Sequence, residues 1–480
     1  MSFYHGRKSL PQRFRLVLLS VLQASGLPFS EILTEEEIQE AFDEQECSFA
    51  QEDDEIFTPA VTLWAFLCQV LHKEEQRSCL AAVSRISVLL VALGRQPPAL
   101  NNGAYCKARC KLPVPVIERL TLEVARGCEK KIPRDWLWYG HHIKMVDGTT
   151  VSMPDTEENQ EAYPHSASQQ EGLGFPIARV VVLLSLATAM VSGMAMGPYT
   201  GKETGETALM RQLLDQLDRN DILLADRFFC SYFMIALLLG MNVNFVARLH
   251  QCRKTDYERA RRLGKNDHLV VWTRPDRPDW MDEETYNQMP ESLELRQIDV
   301  KVNEPGFRVE SLTVVTTLID AKKYPRDAIA ELYHKRWLVE LDIRSIKVSL
   351  GMDVLRCKSP EMVRKEMWTC LLAYNLIRKT MLQAAKRNKL SPRQLSFTAA
   401  MQTLAASWGT LPIQDQSTQL KSIESQIDSL ASQIVGKPSR ANRVEPRAIK
   451  RRPKPHRLLN MTREAARESL LSGVDPYEKK

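Results

Sequence analysis

At 480 residues the chain is longer than one hydrophobic core supports, so about two to four domains are expected. Its 44% hydrophobic and 26% charged residues are those of a folded globular protein and exclude a disordered one. The net charge of +6 is mild but unevenly distributed: residues 31–55 are acidic, and residues 437–457 carry nine Lys or Arg among prolines, as a polyanion-binding or solvated tail would.

Ten cysteines lie scattered with no secretory leader ahead of them, which predicts reduced thiols in a cytoplasmic protein. Cys106 and Cys110 form the one close pair. With no second pair at zinc spacing, they read as helix residues.

Residues 1 to about 135 read as helical. Thr58 and Pro59 form an N-cap and first-turn pair ahead of the apolar series Val61, Leu63, Trp64, Leu67, Val70 and Leu71. A second helix is expected from about Glu75 to Leu93. The basic-aromatic segment Tyr105, Lys107, Arg109 and Lys111 then suggests DNA binding, although helical bundles carry such segments for other reasons.

From Trp136 the texture changes to strands. His142–Val146 is predicted as a short strand that ends at Asp147 and breaks at Gly148. Asp155 follows Pro154 with no strand leading into it and reads as a turn residue. Val180–Pro198 runs nineteen residues without a charge, long enough to span a bilayer. Its serines, threonine, glycine and β-branched cluster favour two buried strands instead, so no membrane segment is expected. A helix over about Thr204–Leu217 precedes Ile222–Ala225, a fully apolar run that ends on Asp226. Asp221 lies at the opposite end of that run and is a poor alternative acid. Strands follow at Val243–Arg248, His268–Trp272, Leu293–Val302 and Arg308–Leu318. The first and last are assigned to the main sheet, and most of the rest to an inserted β-rich subdomain.

Tyr324–Gly351 reads as one helix, with Pro325 at its start and Gly351 just past its end. At about 100° per residue, Ile329, Leu332, Val339, Ile343, Ile346 and Leu350 form a stripe that can pack on a sheet. Tyr333, Arg336, Glu340 and Lys347 fall in a second stripe about 60° wide at its edge. That set suits a phosphate backbone and a metal ion, and also suits a solvated face of ion pairs. A helix from Ser359–Pro360 to about Lys386 comes next, then helical segments near 396–406 and 419–435.

Two carboxylates on strands and one on a helix against the same sheet can hold two Mg²⁺ or Mn²⁺ ions about 3.5–4 Å apart. The spacing Tyr333, Arg336, Glu340, Lys347 resembles the YREK signature of bacterial insertion-sequence DDE transposases of the insertion sequence four family. Val146–Thr150 with Met153–Thr156 resembles that family's first-acid region, and Leu223–Phe229 its second. The resemblance spans roughly residues 100–350. It implies an α/β, multi-domain chain with a ribonuclease-H-like catalytic core split by a β insertion.

On that basis residues 1–135 form a helical DNA-binding domain, 136–249 and 312–358 the two parts of the core, and 250–311 the insertion. Residues 359–435 form a helical, dimerising domain, and 436–480 a basic tail. The resemblance makes Asp147, Asp226 and Glu340 metal ligands. Tyr333, Arg336 and Lys347 become contacts to phosphates, and Arg227 is assigned to DNA with them. It further implies cut-and-paste movement on double-stranded DNA on the bacterial nucleoid, where joining two ends calls for a homodimer; members of that family can release the second strand through a hairpin, which needs a flipped base stacked on an aromatic, and Trp272 is read either as that stack or as a core or cross-strand aromatic. A ribonuclease-H-like nuclease without strand transfer, and a DNA-binding protein with a vestigial site, remain open as alternatives.

Overall fold

The computed structural model describes residues 40–49, 56–92, 96–166, 172–253, 257–301, 311–407, 416–435 and 461–477. The basic run 437–457 lies outside them.

After a helical segment at 40–43, the chain forms α1 (Pro59–Val70), α2 (Cys79–Ala92), α3 (Gly103–Lys111) and α4 (Val114–Glu129). Thr58 caps α1 by accepting the Val61 N–H, with Pro59 following it as expected. The second helix starts later than predicted, because Ser78 is extended and separates it from a 3₁₀ turn at Glu74–Arg77. The basic-aromatic segment falls on α3, but half of it faces inward. Tyr105 is fully buried and donates to Gln69, and Arg109 donates to the same Gln69 and lies over Phe66. Lys107 and Lys111 are left exposed.

The sheet is built from β1 (Ile143–Ser152), β2 (Ile177–Ser185), β3 (Val191–Pro198), β4 (Ile222–Ala225), β5 (Asn244–Arg248), β6 (Arg261–Gly264), β7 (Asp267–Thr273), β8 (Ser292–Lys301) and β9 (Ser311–Thr316). All nine strands form one sheet in the order β3-β2-β1-β4-β5-β9-β8-β7-β6. β1, β4 and β5 run parallel, while the pairs on either side are antiparallel. The uncharged Val180–Pro198 stretch is the β2–β3 hairpin. Among the described residues, no helix is long and apolar enough to cross a membrane.

Both faces of the parallel strands are covered, which is why Ile222–Ala225 is apolar throughout. Ile222 and Leu224 belong to one core, Leu223 and Ala225 to the other, as the two-residue strand period requires. Between the strands lie α5 (Glu157–Ala162), α6 (Glu206–Arg211), α7 (Tyr232–Gly240) and α8 (Glu283–Gln288). α6 is shorter than the predicted 204–217 helix, which the chain finishes as a 3₁₀ turn at Leu214–Gln216.

One expectation about strands is corrected. β1 does not end at Asp147: its antiparallel partner β2 continues to hydrogen-bond as far as Ser152, so the strand has a ladder to follow through Gly148. The strands between 250 and 311, expected as an inserted β-rich subdomain, are continuous with the main sheet. β8 pairs with β9, so the insertion extends the main sheet at its far edge.

The chain closes with α9 (Arg326–His334), α10 (Leu338–Arg344), α11 (Pro360–Arg387), α12 (Phe397–Ser407), α13 (Gln416–Ser432) and α14 (Arg463–Leu471). α9 and α10 occupy the stretch expected to be one helix. Pro325 is the residue just before α9, a 3₁₀ turn at Lys335–Trp337 joins the two, and a π turn at Ser345–Ser349 ends the run. Gly351 follows with φ +67°, a left-handed conformation that suits glycine.

α11 is 28 residues long and buried over nearly its whole circumference. It packs on α4, α1, α12 and α13. Among the described residues, the exposed positions of the 359–435 segment lie mostly outside this helix, many of them on α12 and α13.

Candidate active site

Parallel pairing brings two aspartates together. Met145 pairs with Leu224, and Asp147 within β1 and Asp226 just past the end of β4 each stand two residues further along the chain. Asp226 caps a 3₁₀ turn at Arg227–Phe229 by accepting the Phe228 N–H at 2.7 Å. Asp147 accepts the Gly148 N–H at 2.9 Å. Burial pushes the Asp147 carboxyl up to about 6, with Gly148 and Arg336 opposing the rise and the negative charges of Asp226 and Glu206 adding to it.

The stripe on α9 and α10 faces the same sheet end. Arg336 donates to Glu340 at 2.6 Å and stands 3.9 Å from Asp147. Burial works against its charge, yet hydrogen bonding to Glu340 and the nearby Tyr333 and Asp147 hold the guanidinium above its ordinary range. Burial raises the Tyr333 phenol to about 12, with Arg336, Asp226 and Arg248 acting on it. Lys347 donates to Thr149 Oγ1 at 3.1 Å and to the Thr150 carbonyl at 2.8 Å, which ties the π turn to β1.

Glu340 is 59% exposed. Among the described residues no three His, Cys, Asp or Glu side chains stand together as a ready metal-binding group. The chemistry of the donor set nevertheless suits a hard divalent cation: Asp147 and Asp226 lie close enough to raise the cost of ionising one of them.

Sequence reasoning missed Glu206. A Cβ built on Gly148 would come within 2.3 Å of the Glu206 carboxylate, so that side chain sits directly on the glycine beside Asp147. Burial and Asp226 raise its pKa. In sequence Glu206 is merely an acid at a helix start, as the helix dipole favours, and its proximity to the aspartates is visible only in three dimensions.

Trp272 is 5% exposed, and the Arg253 guanidinium covers its ring at 3.8 Å from the centroid. It is a core aromatic here, with no open face for a base, because β7 turns it into the apolar layer shared with Leu293 and Leu295. Arg227 lies beside Asp226, its guanidinium 5.2 Å from the Phe228 centroid. Asp155 is an exposed turn residue that accepts from Gln160. Asp221 is buried at the start of β4, away from the aspartate pair.

The helical run is fixed from behind. Asp342, two residues past Glu340, is buried and accepts from Arg378 at 2.8 Å and Arg393 at 2.9 Å. Arg77 donates to the carbonyls of Leu350 and Gly351 and pairs with buried Glu366, so a cation caps the C-terminal end of the run.

Residues 138–376 match the transposase DDE domain family, a stretch that begins just ahead of β1 and ends within α11. The protein is a DDE transposase, a DNA-transposing enzyme. Transposase InsG for insertion sequence element IS4, from Escherichia coli K12, is 29% identical over 401 residues, covering 82% of this chain and 85% of that relative. Within the DDE transposases the chain belongs to the IS4 family.

Putative transposase InsZ of the same bacterium is 28% identical over 29% of this chain and 46% of its own length. The putative transposase for insertion sequence element IS4SA, from Synechocystis, is 23% identical over 43% of this chain and 54% of its own. A piggyBac transposase synaptic complex with hairpin DNA aligns with 84% of each chain at 10% identity and a TM-score of 0.42, a likeness too slight to argue from.

Proposed function

We propose that this transposase binds the terminal inverted repeats of its own insertion sequence and catalyses strand cleavage followed by strand transfer. The observation that carries the reading is the register of β1 and β4, which sets Asp147 beside Asp226 under the Arg336–Glu340 pair. The order β3-β2-β1-β4-β5, with its parallel centre, supports a ribonuclease-H-like core extended by the later strands.

Asp147, Asp226 and Glu340 would hold two Mg²⁺ or Mn²⁺ ions. When bound, such ions polarise the scissile phosphate and activate the attacking oxygen. The protein's own part is positioning. Arg336 loses its carboxylate partner when Glu340 turns to the site and is then free to pair with a phosphate oxygen, a bidentate geometry that suits guanidinium. Tyr333 stays protonated and donates a hydrogen bond. Lys347, held on the Thr150 carbonyl, adds a point charge near the strand backbone.

Two transposon ends call for two protein copies, so a homodimer on double-stranded DNA is part of the reading. Cleavage and joining assays on end-bearing duplexes test it. Wild type should cut at the end and join it to target. Cutting without joining would instead favour a nuclease.

A further inference from the structure

A lysine side chain is long and flexible, so where its ammonium stands depends on the backbone that carries it. Lys347 belongs to the π turn Ser345–Ser349 and lies on β1, donating to Thr149 Oγ1 and to the Thr150 carbonyl just past Asp147. A π turn is rare, occurs frequently at functional sites, and carries one residue more than an α turn. Relaxing it to α geometry would swing the residues it carries by up to about 100° around the axis. The position of the Lys347 amine therefore depends on what holds this turn.

The last carbonyls of a helix have no partner within it, and here they meet cations. Lys73 Nζ donates to the Val348 carbonyl at 2.6 Å, and Arg77 Nη1 donates to the carbonyls of Leu350 at 3.0 Å and Gly351 at 2.9 Å. Three of the four residues that follow Lys347 are thus held by one short stretch, 73–77. That stretch is itself fixed. The Arg77 carbonyl accepts from Gln69 at 2.7 Å, the Arg77 guanidinium pairs with buried Glu366 at 2.9 Å, and Arg356 donates back to the Glu74 carbonyl at 2.6 Å. The other oxygen of Glu366 accepts the N–H groups of Arg356 and Cys357, so one carboxylate anchors both Arg77 and the loop after Gly351. Lys73 is exposed. A surface lysine on a single carbonyl adds little to stability, which leaves the geometry it imposes as its contribution.

We infer that Lys73 and Arg77 are positioning residues for Lys347: they lock the π turn in the phase that lays its ammonium along β1 beside Asp147. The inference rests on the transposase reading, in which Lys347 meets a phosphate. It adds the residues, more than 270 positions earlier in the chain, that put the amine there.

The test uses the full chain and a duplex carrying the DNA sequence that flanks this gene, and compares Lys73→Ala in two backgrounds. In wild type it should lower single-turnover cleavage at saturating DNA roughly tenfold or more. With divalent metal omitted, it should also reduce the slope of log K against log salt by about 0.9, the share of one phosphate contact. In Lys347→Ala it should change neither, because the amine it places is gone. Lys73→Arg should retain both values, and thermal melts should hardly move. Arg77→Gln should follow Lys73→Ala in both backgrounds if it folds; because it strands the buried Glu366 charge, Lys73→Ala decides. Losses from Lys73→Ala as large in Lys347→Ala as in wild type would make Lys73 a phosphate contact or a purely structural residue, overturning the inference with the transposase reading intact. An unchanged cleavage rate in Lys73→Ala does the same. Failure of wild type to cut the duplex overturns both.

Discussion

Glu340 accepts a 2.6 Å hydrogen bond from Arg336, one helical turn before it, and so rests on a cation that itself reaches toward Asp147. Glu340→Ala should therefore lower end cleavage by about a thousandfold or more, on the order of 4 kcal/mol. It should leave the gel shift of end DNA intact, because Arg336 is released toward phosphate. Cleavage near the wild-type rate would remove Glu340 from the reaction.

The pH dependence of stability reports on Asp147. Its folded carboxyl titrates at about 6, above the unfolded value of about 3.9. Between these values the folded state binds more protons, so stability falls as pH rises through the window and levels off above it. Asp147→Asn escapes this loss. In metal-free protein it should be more stable than wild type at pH 8 by about 1–3 kcal/mol, with the gain vanishing below about pH 4. A difference that stays constant from pH 4 to 8 in thermal melts would contradict the shift.

Gly148 and Glu206 should be energetically coupled. A Cβ at 148 would lie 2.3 Å from the Glu206 carboxylate, so Gly148→Ala should cost about 1–3 kcal/mol by overpacking. Removing the obstruction with Glu206→Ala in the same chain should recover most of that. Additive losses in urea denaturation would mean that the two do not touch.

Asp342 separates stability from catalysis. Asp342→Ala leaves Arg378 and Arg393 without their shared carboxylate and should cost about 3–5 kcal/mol. Glu340→Ala, two residues away and exposed, should change stability by no more than about 0.5 kcal/mol. Similar losses from both would mean that Glu340 is a structural residue.

Exchange of the metal tests the donor at Asp147. Asp147→Cys replaces a hard oxygen with sulfur, so cleavage in Mg²⁺ should collapse and partly recover in Mn²⁺. Asp155→Cys should be near wild type in either metal, since Asp155 is an exposed turn residue bonded to Gln160. Reversed behaviour would move the first acid to Asp155.

The parts of the site carried by local pattern were legible in the sequence. An apolar run ending on Asp226 and a 3.6-residue stripe through Tyr333, Arg336, Glu340 and Lys347 are short-range signals. The β2–β3 hairpin was legible too, because uncharged residues of mixed β-branched and small type suit strands better than a span. What stayed hidden depended on partners distant in sequence. The length of β1 past Gly148 is set by β2, and the burial of Trp272 by Arg253 and the neighbouring strand. Glu206 gains its meaning only from the glycine beneath it. The turn between α9 and α10 and the π turn at Ser345–Ser349 leave the stripe pattern almost unchanged, so periodicity could not reveal them.

α11 also sets the timing of assembly. The apolar face of α4 is covered by a helix that the ribosome makes more than two hundred residues later. At about 5–20 residues per second, α4 and the sheet face beside it wait on the order of ten seconds or more for their cover. Nascent chains cut short before Pro360 would expose that face, so the enzyme's yield in the cell depends on uninterrupted translation and on chaperones that shield unfinished chains.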